Sequence, residues 1–370
     1  MKILFICGSA EPGKDGVGDY IRRLCGELLF IGHEAHILSL CDHKVILFTA
    51  EKQVIEETEV IVHRIPVSSS NNQRIIWSQE ILNNFQPDWI SLQFVPYSFN
   101  PKGLPFWLPS FLQKLKGNHK WQIMFHELWI GMDLNASFKD KCIGLFQQKI
   151  VSNFFKKIDV KVINTQSDLY KSKIVELGYN SQILPLFSNI IKNKELNAKT
   201  VAEKLELKFC IFGSIHYGAP VEKFINELKQ VLSVLKEKKI LKFVFIGHCG
   251  AAMVEWEKVL LANKINFEIT GFVSDEEIST LLSGCQYGIS TTPYILSQKS
   301  GSLAAMFDHQ LPVLCVARNW KVKGFNQRRF LNLINYENGE TIYEFMNTKF
   351  IVSNENNLEF VALNFLNGLK

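Results

Sequence analysis

The chain has 370 residues, 47% of them hydrophobic and 21% charged, with a formal net charge of +5. Those numbers describe a globular protein with ample core, in two domains by the usual size relation. The mild charge is not the concentrated basic face that nucleic acid requires, and no apolar run reaches the length that crosses a membrane.

Eight cysteines stand at 7, 25, 41, 142, 210, 249, 285 and 315, never at CxxC spacing. Most fall in or beside apolar, strand-like runs, so buried free thiols in a reducing compartment are expected. Met1 leads straight into Lys2–Cys7, an unbroken strand, which predicts no signal peptide and a cytoplasmic protein.

After that first strand a polar, glycine-rich loop runs from Gly8 to Tyr20, followed by a helix marked by Tyr20, Leu24 and Leu28 and a second strand over Glu34–Cys41. The GxGxxG spacing of a dinucleotide site is absent, and Asp42 reads as a turn residue. Gly16 and Gly18 either let a ligand approach the backbone or form a flexible turn. Asp15 and Asp19 add polar groups at the same sheet edge, which favours a ligand.

Val60–Ile65 predicts a third strand, residues 68–72 a polar loop, and 87–94 a fourth strand. Phe94 and Tyr97, with Phe99, either stack on a sugar ring or pack a loop. Residues 102–125 carry Lys102, Lys114, Lys116 and Lys120 among large apolar residues and no acid. A basic amphipathic helix there would cover the sheet, or else make a weak peripheral contact with a membrane through 102–120; covering is the commoner use.

A fifth strand ends in His126–Glu127, with Asp133 beyond it, a placement that raises His126 above an ordinary core histidine. Strands follow over 159–164 and 182–186, with Ser167 capping the helix between them. The Asn/Lys-rich segment after Pro185, with Asn189, Lys192, Asn193 and Lys194, reads as a hinge.

Strand–helix alternation then restarts. Phe209–Phe212 leads into Gly213, Ser214, His216 and Tyr217; further strands fall at 242–247 and 267–270, and Ser274 with Glu277 forms a capping box. The stretch 288–315 predicts strand, polar loop, helix and strand. Gln298, Lys299, Ser300, Gly301 and Ser302 stand at that helix's N-terminus, where free amides, hydroxyls and an amine suit a phosphate. The plainer reading is an N-capping serine beside a solvated lysine.

In order and spacing, these pieces resemble the retaining family 4 glycosyltransferases of the GT-B fold. The resemblance is carried by Gly16-Val-Gly18-Asp19, His126, Asn164-Thr-Gln-Ser167, Pro185-Leu-Phe-Ser-Asn189, Phe212-Gly213-Ser214, Thr270-Gly271-Phe272-Val273 and Ser300 through Val313. It implies an α/β chain of two Rossmann-like domains facing across a cleft. Their bounds would be 1–186, a linker 187–200, a nucleotide-sugar domain 201–352, and a C-terminal helix in 353–370 returning to the first domain.

The resemblance further implies transfer of a hexose, glucose by family frequency, from a UDP-sugar to a glycan or lipid-linked saccharide with retention. His126 would contact the hexose, and Glu127 and Asp19 would place the acceptor. Gly16, Gly18, Gly213, Ser214, His216, Phe272, Val273 and residues 298–302 would hold the donor, and Phe94 and Tyr97 the acceptor. The sequence has no Asp-x-Asp pair and no ligand-spaced His/Asp cluster, so no metal or other cofactor is expected.

The sequence also departs from the family. Its two glutamates, eight positions apart, would fall near Ser297 and near Ala304 or Ala305, and neither position is acidic. The Arg and Lys that usually follow the first strand of the second domain are replaced by Ser214, His216 and Tyr217. The rival expectations are a nucleotide-sugar 2-epimerase, or a silent relative that binds a partner transferase.

Overall fold

A computed structural model describes residues 1–193, 205–353 and 355–370. Of the expected linker, 194–200 lie outside these residues, as do 201–204 at the start of the expected second domain. The chain divides into two units. The first comprises Met1–Pro185, Val322–Phe325 and Leu358–Lys370, and the second Leu186–Lys321 and Asn326–Asn357. Each is a Rossmann-like α/β domain, on a mainly parallel sheet in the first unit and a wholly parallel one in the second.

The first unit runs β1 (Lys2–Cys7), α1 (Gly16–Phe30), β2 (Glu34–Asp42), β3 (Thr49–Ile55), β4 (Thr58–Pro66), α2 (Asn71–Phe85), β5 (Trp89–Phe94), α3 (Pro96–Phe99), α4 (Leu108–Lys114), β6 (Lys120–Phe125), α5 (Phe138–Lys157), β7 (Val160–Thr165), α6 (Asp168–Glu176) and β8 (Gln182–Ile183). Its strand order is β3-β4-β2-β1-β5-β6-β7-β8. The apolar runs of β1 and β5 lie at the middle because both of their faces are covered by helices.

Strand β3 pairs antiparallel with β4 at the edge of the sheet. Its sequence TAEKQVI alternates exposed and half-buried positions, so it lacks the apolar run that marks a buried strand. The polar residues 68–72 are not simply a loop. Ser70 caps α2 in a capping box with Gln73, and the helix begins at Asn71. Of 102–125, only Leu108–Lys114 is helical before β6 begins. Leu108, Phe111 and Leu112 of that helix are buried, and α4 packs on α2 and α5.

Asp42 does more than turn the chain. It accepts the Lys44 amide (2.9 Å) as a turn residue would, but its carboxylate is fully buried and held by Arg64 Nε (2.9 Å) and Nη2 (3.0 Å). Arg64 also pairs with Glu11 and with Glu51 (3.1 Å). Burial alone would raise the Asp42 pKa, but the hydrogen bonds from Arg64 and the backbone amides outweigh it and hold the carboxyl below its usual value. For Arg64, desolvation is likewise outweighed by its acidic partners, and its pKa is raised.

On the same sheet, His36 and His63 have ring centroids 5.6 Å apart, and His36 stacks on Phe85 at 4.0 Å. Neither nitrogen of His63 nor Nδ1 of His36 has a hydrogen-bond partner among the described residues. Burial first, then the neighbouring His63, lowers His36 to about 4, and burial lowers His63. Glu34 opposes the shift at His36 and Lys2 reinforces it. The unfolded state therefore binds more protons than the folded one between pH 6.5 and 4, and stability should fall as pH drops through that window. Urea midpoints across it should show a shallower slope in a His36→Phe/His63→Phe variant. An unchanged slope would contradict the assignment.

The second unit runs β9 (Glu206–Phe212), α7 (Val221–Val234), β10 (Ile240–Ile246), α8 (Met253–Ala262), β11 (Asn266–Ile269), α9 (Asp275–Ser283), β12 (Tyr287–Ser290), a 3-10 turn (Tyr294–Lys299), α10 (Gly301–Asp308), β13 (Val313–Cys315), β14 (Leu333–Asn335) and α11 (Gly339–Met346). Its sheet is parallel throughout, in the order β11-β10-β9-β12-β13-β14. Phe209, Phe224, Phe243, Phe245 and Trp256 fill one side of it. A Cβ on Gly288 of β12 would lie 2.5 Å from Met306 Sδ, so the missing side chain lets α10 press onto the strand and fixes that helix's place.

The last helix, α12 (Leu358–Leu369), belongs to the first unit. It packs on α1, with Phe365 stacked on Phe5 at 5.6 Å. All eight cysteines are free and seven are buried. Among the described residues, no helix is long and apolar enough to cross a membrane.

Candidate active site

Ligands of open α/β sheets bind beyond the carboxyl ends of the strands, where the strand order reverses. In the second unit that point lies between β9 and β12. There β9 ends in Gly213, whose φ of +76° is open to glycine and strained for other residues. A Cβ built on it would lie 3.6 Å from Ser302 Cβ, so the strand end faces the first turn of α10. The His216 amide donates to Thr291 Oγ1 (2.9 Å), tying the loop after β9 to the end of β12.

Ser300 is the N-cap of α10 and its Oγ accepts the Leu303 amide at 3.3 Å, so the plainer reading of this serine is correct as far as it goes. The same hydroxyl lies 3.1 Å from Ser302 Oγ and accepts from Thr292 Oγ1 at 3.4 Å, which gathers three hydroxyls at the helix start. Lys299 closes the 3-10 turn just before them, and Gly301 has open space where a Cβ would stand. Ser297 Oγ is buried with no hydrogen-bond partner among the described residues.

A second cation stands here that sequence reasoning passed over. Arg318 follows β13, and a Cβ on Gly218 would lie 3.2 Å from Arg318 Cβ and 3.6 Å from its Cδ. The guanidinium stem therefore runs along the loop that carries His216. Desolvation, and then the charges of Lys299 and Arg318, lower the pKa of His216 and favour a neutral imidazole. The available signal was an arginine three residues past a strand end, at the same sheet edge as the loops singled out by their motifs.

Beside this point, β10 and β11 carry an aromatic pair. Phe272 is 81% exposed and stacks on His248 with centroids 5.4 Å apart and planes 4° from parallel. Gly247 and Gly271, both at positive φ, bridge the two strand ends, and Thr270 Oγ1 accepts the Gly247 amide at 3.1 Å. Val273 is half-buried and packs against the core on one side of the sheet. Ser214 is exposed, and Gln298 is half-buried beside Lys299. His248, like Arg318, was missed by sequence reasoning, because no acid stands beside it as Glu127 does beside His126.

In the first unit the strand order reverses between β1 and β5. The space at Gly8 is taken up by the protein itself, since a Cβ there would lie 2.4 Å from Ser98 O. Gly18 is packed in the same way against Ser9 O and Ala10, while Gly16 faces open space. The Asp15 carboxylate caps α1 by accepting the Val17 (3.0 Å) and Gly18 (2.7 Å) amides, so those donors are engaged within the chain. Asp19 pairs with Arg22 and accepts the Gly13 amide at 2.9 Å.

His126 is 6% exposed and sits in a ladder of buried polar side chains. Gln166 Nε2 donates to its Nδ1 (3.0 Å), and its Nε2–H donates to Gln93 Oε1 (2.8 Å). Gln93 Nε2 donates to Ser91 Oγ (2.7 Å), Ser91 to Gln122 Oε1, and Gln122 Nε2 to Asn164 Oδ1 (2.9 Å). Both ring nitrogens are thereby engaged within the protein. Glu127 follows at the strand end, its amide donating to Phe94 O at 3.3 Å.

Phe94 does not present a face to a sugar. It is 1% exposed and packed among Phe99, Phe125 and Phe154, because it is the last residue of a central strand. Tyr97 remains 43% exposed. Among the described residues no group of three or more His, Cys, Asp or Glu could hold a metal ion.

No sequence-family profile matches the chain, and no curated protein matches it in sequence. Solved structures do match it in fold. One is a UDP-GlcNAc 2-epimerase from Methanocaldococcus jannaschii, 11% identical, covering 100% of this chain and 99% of that one with a TM-score of 0.58. Another is a trehalose-6-phosphate protein from E. coli bound with UDP-2-fluoro glucose, 8% identical, with the same coverages and a TM-score of 0.59. A third is the lipopolysaccharide outer core galactosyltransferase WaaB, 13% identical, again 100% and 99% covered, with a TM-score of 0.56. At these identities the likeness concerns architecture, and it shows that this chain has the two-domain GT-B fold.

Proposed function

We propose that the chain is a hexosyltransferase that moves glucose from UDP-glucose to a glycan or lipid-linked saccharide with retention of configuration and without a divalent metal. The observation that carries this reading is the start of α10, where the hydroxyls of Thr292, Ser300 and Ser302 gather opposite Gly213, with Lys299 just before them and Arg318 against the Gly218 loop. In this reading the diphosphate lies on the amides and hydroxyls of 300–302, with Gln298, Gly213 and Ser214 beside it. Its nucleobase stacks on Phe272.

When the bond from the hexose C1 to the phosphate oxygen breaks, charge grows on the diphosphate. The fixed cations and helix amides then bind the transition state more tightly than the ground state. The acceptor hydroxyl oxygen bonds to C1 on the same face, and its proton passes to the departing phosphate oxygen. The residues expected for the acceptor and the hexose, Asp19, Glu127, Tyr97 and His126, lie at the carboxyl edge of the first unit's own sheet, where Gln93 and Gln166 fix His126. Gly16 leaves room for the substrate.

A second reading, nucleotide-sugar 2-epimerisation, is supported by the fold shared with the M. jannaschii 2-epimerase, whereas the lack of acid at Ser297, Ala304 and Ala305 supports a silent relative. UDP release from a panel of nucleotide sugars, with and without saccharide acceptors, separates the two. Release that needs an acceptor, with an anomer-retained product by NMR, is expected. Conversion to a C2 epimer without acceptor would establish the epimerase, an inverted product would overturn retention, and UDP binding without any turnover would indicate a silent partner.

A further inference from the structure

Helix α5 leaves the carboxyl edge of β6 and returns to the start of β7, so its first turns lie at the edge that carries His126. Its rotation is fixed from below. A Cβ on Gly144 would lie 2.1 Å from Ile130 O, so no other residue fits the contact. Gln147, 1% exposed, accepts the Ile130 amide (2.9 Å) and donates to Gly103 O (3.1 Å).

At about 100° per residue, the opposite face carries Phe138, Leu145 and Phe146, which are 84%, 66% and 52% exposed. Lys139, Lys141 and Lys149 surround them, all exposed. Phe106, itself 52% exposed, extends the patch through an edge contact with Phe146 at 6.2 Å. The helix holds five lysines and one acid, Asp140, which accepts from Ser137 Oγ at 2.7 Å.

We infer that this face of α5 docks on an anionic lipid bilayer. Phe138, Leu145 and Phe146 enter the boundary between headgroups and acyl chains, and the lysines meet the headgroup phosphates. The charge decides the occupant, since the core of a protein–protein contact is depleted of lysine, whereas here three exposed lysines stand among the exposed apolar side chains of one helix. The membrane contact considered for 102–120 thereby moves to α5, because the apolar side of α4 is already buried. The inference stands without the transfer reading; where both hold, the bilayer presents a lipid-linked acceptor at the carboxyl edge of the first sheet.

The test is co-sedimentation of the full chain, without nucleotide, with vesicles of phosphatidylcholine alone or mixed equally with phosphatidylglycerol. Binding to the mixed vesicles only, reversed by high salt, is expected. The variant K139E/K141E/K149E should bind about a hundredfold more weakly, and F138S/L145S should also weaken, both with unchanged melting temperatures because these side chains are exposed. K238E/K239E in the second unit should bind as wild type. Equal binding to both vesicles, no binding, wild-type binding by the lysine variant, or self-association in the ultracentrifuge that F138S abolishes would overturn the inference.

Discussion

Lys299→Ala and Arg318→Ala should each weaken UDP binding by about ten- to a hundredfold and leave the affinity for uridine nearly unchanged. A hydrogen bond to a charged group contributes about 1.5–3 kcal/mol. Uridine, which lacks phosphate, would use only the Phe272 end of the site. The double variant should lose more than either single one. Both changes also remove a positive neighbour of His216, so its pKa should rise toward the ordinary histidine value when followed by NMR. A general loss of structure would raise it too, so the shift counts only where the melting temperature is unchanged. If UDP affinity persists in both variants, the phosphate assignment fails.

Arg64→Met should destabilise the first unit by about 3–5 kcal/mol, read as a lower urea midpoint. Methionine fills much of the same volume, so the loss reports charge more than packing. It leaves Asp42 buried with a carboxylate whose partners shrink to backbone amides and Ser39. The sign of the pH dependence follows from the depressed Asp42 pKa. Its stabilisation is present above the unfolded carboxylate value of about 3.9 and fades as pH falls through the lower folded value. In R64M/D42N the buried charge is gone, and part of the loss should return. A single variant as stable as wild type would show that the cluster holds nothing together.

The central strands were legible because a parallel sheet covered on both faces demands unbroken apolar runs such as Lys2–Cys7 and Phe209–Phe212. Strand β3 escaped because an antiparallel edge strand needs burial on neither face, and its Glu, Lys and Gln read as loop. Residues 102–120 looked like one helix because their lysines and aromatics recur at mixed spacings. Pro105 and Gly103, in its left-handed conformation, confine the helix to its last turns.

The helix start at 298–302 was legible as a local motif, since its serines and lysine carry their chemistry in five consecutive residues. Arg318 and His248 were not, because their placement comes from the sheet order, which brings strands distant in sequence to one edge. Phe94 failed as a stacking surface for a related reason. A strand's last aromatic can face the loop or the core, and only the neighbouring Phe99 and Phe154 decide.

The central claim is that a diphosphate is held at the reversal point of the second sheet by Lys299, Arg318 and the start of α10. It is tested most directly by calorimetric titration of the wild-type protein with UDP and with uridine, each in excess chelator. The account predicts saturable UDP binding that chelator leaves intact, with uridine bound far more weakly. Equal affinities for the two ligands, or UDP binding that appears only when a divalent cation is restored, would contradict it.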